Sequence, residues 1–90
     1  MNPLIRIQSA SMTHSKEEGY VGQVEFQVEG HKYPYEITLH STKGKEWSYG
    51  LHFLEQSGSE EDILAVEDLL EEEDEYFDQL VEAAKNSLQN

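Results

Sequence analysis

Within residues 20–29, polar and apolar residues alternate strictly from Gln23 to Glu29, and this alternation is the strongest structural signal in the chain. A period of two places every second side chain on the same face, which is typical of a β-strand with one buried side. The same pattern recurs over residues 32–41 and 45–55, and a weaker version covers residues 4–12. The pattern therefore predicts four strands.

Two turn assignments place the last three predicted strands in an antiparallel meander. A two-residue loop at residues 30–31, with glycine at its first position, creates the pairs Val28–Tyr33, Phe26–Tyr35 and Val24–Ile37. A three-residue loop at residues 42–44, with a left-handed Gly44, creates the pairs Leu39–Trp47, Ile37–Tyr49, Tyr35–Leu51 and Tyr33–Phe53. Both assignments gather the apolar residues on one face, whereas a slip of one residue would scatter them. Pro34 would remove a hydrogen-bond donor from a central strand, so a local irregularity is predicted there.

Residues 59–88 predict an amphipathic helix. Ser59 is a suitable N-cap, and the three acidic residues that follow it suit the positive end of the helix dipole. One apolar stripe keeps its phase along the segment and consists of Ile63, Val66, Leu69, Leu70, Phe77, Leu80, Val81, Ala84 and Leu88. The unbroken phase favours one continuous helix, or two nearly collinear helices, over a sharp turn. Glu73 falls inside the stripe, which marks residues 72–75 as the place of a kink. An unbroken helix of this length would measure ~45 Å and overhang the sheet.

These elements predict one α+β domain over residues 1–90. Residues 1–57 form a four-stranded antiparallel meander, in which the first strand pairs with the second. Residues 59–88 form a long acidic helix that covers one face of the sheet. The aromatic residues of that face are interpreted as the core beneath the helix, although a ligand-stacking surface is the alternative.

The charge of the chain is concentrated in the predicted helix. Residues 59–90 contain 12 acidic residues and one lysine, so −11 of the formal net charge of −13 lies there. Such acidity repels nucleic acid and anionic membranes, so we expect neither as a direct partner. The chain has no cysteine for a disulfide or a metal site and no apolar run long enough to span a membrane. Its first residues lack the pattern of a signal peptide, so we expect a cytoplasmic protein.

Nine acidic residues and no basic one lie between Glu67 and Glu82. One interpretation is a surface that binds a basic protein partner, through Glu67, Glu71, Glu72, Asp74, Glu75 and Asp78. A second is a nucleic-acid mimic that inhibits a DNA- or RNA-binding protein. The alternative to both is a solvated helix face without a partner, which like-charge repulsion at i,i+4 would slightly destabilise.

Glu25, Glu36 and His52 form a second candidate site on the polar face of the predicted sheet. In the predicted register Glu25 lies opposite Glu36, and His52 lies diagonal to it. Two carboxylates and an imidazole could bind a divalent ion or act as an acid/base group, which would indicate an enzyme. The alternative is ordinary decoration of a solvated face. No motif for a nucleotide, zinc or other cofactor is present, so no cofactor is predicted.

The leading hypothesis is therefore a small acidic cytosolic protein that acts without catalysis, by binding or regulating another protein. A homodimer is also considered, because a second and partly apolar side of the helix could self-associate. That side consists of Leu64, Ala65, Tyr76 and Ala83.

Overall fold

A computed structural model of the chain describes residues 4–54 and 58–88 and contains one sheet and two helices. The elements are β1 (Ile5–Ser15), β2 (Gly19–Val28), β3 (Tyr35–Ser41), β4 (Ser48–Phe53), α1 (Glu60–Glu72) and α2 (Asp74–Asn86). The strands are antiparallel in the order β1-β2-β3-β4. The predicted α+β layout with a four-stranded meander is confirmed. The predicted end of the fourth strand at residue 55 lies outside the described residues.

The register between β2 and β3 is the one predicted, with Phe26 opposite Tyr35. The connection between the strands is longer than the two-residue loop, because β3 begins only after Pro34. The backbone N–H of His31 donates to the Val28 carbonyl at 3.0 Å, and Gly30 adopts a φ of 87° that favours glycine. The proline therefore lies outside the ladder, and the conflict inside a central strand does not arise.

The predicted register between β3 and β4 is wrong by two residues. Leu39 lies opposite Tyr49 and not Trp47, since the connecting loop occupies residues 42–47. The Gly44 N–H donates to the Ser41 Oγ at 2.8 Å and Gly44 has the predicted left-handed φ (81°), but the loop continues to Trp47 before β4 begins. Because the error is an even number of residues, every side chain keeps its predicted face.

A β-bulge interrupts the pairing of β1 with β2. Ile7 lies opposite Phe26 and Ser9 lies opposite Glu25, so Gln8 is the extra residue. Beyond the bulge β1 continues to Ser15, three positions further than the sequence predicts. The first strand thus forms the long edge of the sheet beside β2, as expected.

The single long helix is wrong, because the chain breaks at Glu73. This residue has extended backbone angles (φ −119°, ψ 95°) and separates α1 from α2 within the predicted interval 72–75. The predicted N-cap is confirmed, since the Ser59 side chain accepts a hydrogen bond from the Glu61 N–H at 3.1 Å. With the break, α2 packs on β1 and β2 while α1 contacts β4 and α2. Two shorter helices can follow the sheet, whereas one straight helix would extend past it.

The core lies between the helices and the inner face of the sheet. Its buried apolar residues are Met12, Val24, Phe26, Val28, Tyr35, Ile37, Leu39, Val66, Leu70, Leu80, Val81 and Ala84. The predicted stripe and aromatic face supply most of this set, and Trp47 is only partly buried at its margin. No helix among the described residues is long and apolar enough to cross a membrane.

Truncation of Leu80 should test whether α2 is held by this core. Leu80 is fully buried, so Leu80→Ala should lower the free energy of unfolding by about 2–5 kcal/mol in urea titrations. Leu64→Ala makes the same chemical change on α1, where the side chain is 53% exposed, and should change stability by less than about 0.5 kcal/mol. Equal losses for the two variants would contradict the packing described here.

Candidate functional site

The predicted partner-binding carboxylates lie on the solvent side of both helices. We call these six residues the acidic surface: Glu67, Glu71, Glu72, Asp74, Glu75 and Asp78. Five of them are exposed, and Glu67 is half-buried. The arrangement follows from the helix pattern, because the opposite sides of α1 and α2 are occupied by core residues such as Leu70 and Leu80.

The acidic surface has almost no cations beside it. Within residues 4–54 and 58–88, the only lysine or arginine in an ion pair is Lys85, whose Nζ lies 3.7 Å from Glu82 Oε2. That pair is exposed and lies outside the six residues, so it contributes little. None of the six carboxylates therefore has its charge balanced by a described residue.

Glu71 is the member of the acidic surface that accepts a hydrogen bond from the sheet. The Tyr49 hydroxyl of β4 donates a hydrogen bond to Glu71 Oε2 at 3.2 Å. Burial raises the pKa of Tyr49 to about 12, and the hydrogen bond and charge of Glu71 add to this effect, followed by the charges of Glu67 and Asp68. The partly buried Tyr49 of β4 is thus in the negative field of α1.

The structure brings two members of the second candidate site together. Glu25 lies opposite Glu36, as predicted, but His52 also lies directly opposite Glu36 and not diagonal to it. The change follows from the two-residue shift between β3 and β4. His52 Nε2 lies 3.8 Å from Glu36 Oε1 and 3.3 Å from the Thr38 hydroxyl.

The Glu36–His52 contact is longer than a hydrogen bond. At 3.8 Å the carboxylate oxygen lies outside hydrogen-bond distance of His52 Nε2, and the Thr38 hydroxyl approaches the same nitrogen. In the described part of the chain, no group of three His, Asp or Glu side chains is placed to hold a metal ion. The structure therefore shows a carboxylate–imidazole contact between two neighbouring strands and no metal-binding group among the described residues.

A hollow beside α1 was missed by the sequence reasoning. It has a volume of about 180 Å³ and is lined by Val28, His31, Ala65, Val66 and Leu69, and we call it the α1 hollow. His31 is held in place by its Nδ1, which lies 2.7 Å from the Tyr35 hydroxyl. The i,i+4 spacing of Ala65 and Leu69 indicates that they share a side of the helix. The predicted two-residue loop at residues 30–31, however, gave no reason to expect His31 beside that side.

Removal of the Glu71 charge should lower the pKa of Tyr49. Because folding raises this pKa, the neutral phenol stabilises the folded state below about pH 10, and that contribution is lost as the pH rises toward about 12. An NMR titration with labelled tyrosine rings should show the lower pKa in Glu71→Gln. Asp78→Asn removes the same charge further along the surface and should leave the Tyr49 titration unchanged. A Tyr49 pKa that responds equally to both variants would exclude the specific contact.

No protein-family model matches this chain, and neither a curated protein nor a solved structure shows significant similarity to it. Relatives therefore supply no ligand, partner or catalytic residue. The geometry of the acidic surface, of the second candidate site and of the α1 hollow is therefore the basis for proposing a function.

Proposed function

We propose that this chain is a non-enzymatic protein-interaction module whose acidic surface binds a basic surface of a partner protein in the cytoplasm. The observation that carries the proposal is a group of six neighbouring carboxylates, five of them exposed, none of which forms an ion pair with a described lysine or arginine. A complementary basic surface would supply the missing counter-charges and would accelerate encounter through long-range attraction.

Like-charge repulsion makes the acidic surface costly to maintain. Glu67 and Glu71 in α1, and Asp74 and Asp78 in α2, face each other at i,i+4, which destabilises a helix by about 0.2–0.5 kcal/mol per pair. The break at Glu73 places Glu71 and Glu75 on different helices and so removes the helical i,i+4 geometry from that pair. A basic partner would relieve the remaining repulsion.

The second candidate site, Glu25, Glu36 and His52, supports an enzyme less well than the acidic surface supports a binding protein. Glu36 and His52 are neighbours, but their 3.8 Å separation exceeds hydrogen-bond distance, and the described residues offer no third ligand for a metal ion. An exposed carboxylate–imidazole contact also serves as ordinary pairing across two strands. For this reason the acidic surface, and not the sheet face, is the proposed functional site.

Charge-neutralising variants provide the test. Glu72→Gln, Glu75→Gln and Asp78→Asn, combined in one chain, remove three charges from the acidic surface. Glu17→Gln, Glu18→Gln and Glu46→Gln, combined in a second chain, make the same net change at exposed positions of the sheet segment. Each immobilised chain is exposed to a cell extract, and the retained proteins are quantified by mass spectrometry.

The wild-type chain and the sheet control should retain the same basic protein, and the helix variant should lose it. Raising the salt from about 0.1 M to about 1 M should release it, because the Debye length falls from about 10 Å to about 3 Å. Equal retention by all three chains would contradict the proposal. If duplex DNA displaces the retained protein, the acidic surface binds at that protein's DNA-binding site, which would favour the nucleic-acid mimic.

A further inference from the structure

The α1 hollow is an apolar depression in the otherwise acidic helical layer. Val28 and Val66 form its buried floor, Leu69 is half-buried and Ala65 is exposed. Its volume of about 180 Å³ is close to the roughly 150 Å³ of an apolar cavity that accommodates benzene. The hollow is smaller than the usual range for small-molecule sites, about 300–1,000 Å³. Its size therefore suits one apolar side chain.

Carboxylates flank the α1 hollow at both ends. Along α1, Glu61, Ala65, Leu69 and Glu72 are spaced by four, four and three residues, so they share one side of the helix. Glu61 and Glu72 are exposed and lie about 17 Å apart at the helical rise of ~1.5 Å per residue. This spacing equals about three helical turns and leaves the apolar pair at its centre.

Negative charge on α1 also acts on the tyrosine that holds His31, one of the residues lining the hollow. The Tyr35 hydroxyl lies 2.7 Å from His31 Nδ1, and burial raises the pKa of Tyr35 to about 12, with a smaller effect from the charge of Asp62. Among the described residues, no lysine or arginine lines the hollow.

We propose that the α1 hollow receives an apolar side chain from a cationic amphipathic helix of the partner protein. The proposal rests on the proposed function and specifies the partner's chemistry: apolar residues at the centre of one face, with lysine or arginine toward each end. Such a helix would place its apolar side chain between Ala65 and Leu69 and its cations near Glu61 and Glu72. This is the helix-in-groove mode of recognition.

A second copy of this chain does not fit that description. Residues 59–90 contain a single lysine, Lys85, so neither α1 nor α2 can present cations on both sides of an apolar residue. The remaining cations of the chain lie in the sheet segment and its loops. Charge complementarity therefore selects a different protein as the occupant.

Two synthetic peptides serve as probes. Both are fluorescein-labelled helices of about 20 residues with lysines toward each end of one face, a length at which an isolated helix can form. One carries two central leucines at i,i+4, and the other carries alanines there. Fluorescence anisotropy should show binding of both at low salt and about tenfold tighter binding of the leucine peptide, from burial of the apolar side chain.

Two variants test whether the preference for leucine depends on the α1 hollow. Ala65→Gln changes a residue that lines the hollow, and Ala83→Gln makes the same change on α2. Both variants keep the net charge, and glutamine is a good helix former. Ala65→Gln fills the hollow with a polar group and should remove the tenfold preference for leucine, whereas Ala83→Gln on α2 should retain it. Thermal unfolding of both variants verifies that they fold.

The possible outcomes distinguish the two proposals. If neither peptide binds at low salt, the proposed function fails. If both peptides bind equally, or if Ala65→Gln retains the leucine preference, the acidic surface stands and the α1 hollow is not the receiving site. Sedimentation that shows a dimer dissociated by Ala65→Gln would identify a second copy as the occupant and overturn the inference.

Discussion

Burial of one face of the sheet beneath two short helices is the contact on which the rest of this structure depends. The inner residues of β2 and β3 include Phe26 and Tyr35, which are almost completely buried and cannot be left in water without a large loss of stability. Val66 on α1 and Leu80 on α2 are buried in the same apolar cluster. A sheet with one apolar face buries that face against another layer, and here the two helices form that layer.

The same contact determines where the charge lies. Each helix uses one side for the core, so the carboxylates of the chain's most acidic segment must occupy the other side. Few cations are available there to pair with them, and the helices are retained by apolar packing despite repulsion within the layer. The exposed acidic layer, which is the proposed binding surface, is thus a consequence of how the core is covered.

The sequence predicts faces and element types well because both depend on local periodicity. It predicts the pairing of Phe26 with Tyr35 but not that of Leu39 with Tyr49, since the second depends on the length of the loop at residues 42–47. The position of Glu73 in the apolar stripe indicates where the helix ends, whereas the break itself depends on contacts with different strands. The acidic surface follows from composition. The α1 hollow does not, because it requires the connection after β2 to approach α1.

The salt dependence of the free energy of unfolding tests whether apolar packing holds the helices on the sheet against repulsion between their carboxylates. Urea titrations are compared in about 0.05 M and about 0.5 M sodium chloride, conditions that differ strongly in charge screening. Added salt should raise the free energy of unfolding of the wild-type chain, and the increase should be smaller when Glu72, Glu75 and Asp78 are replaced by their amides. If added salt lowers the free energy of unfolding, or raises it equally in both chains, repulsion within the acidic layer does not destabilise the fold.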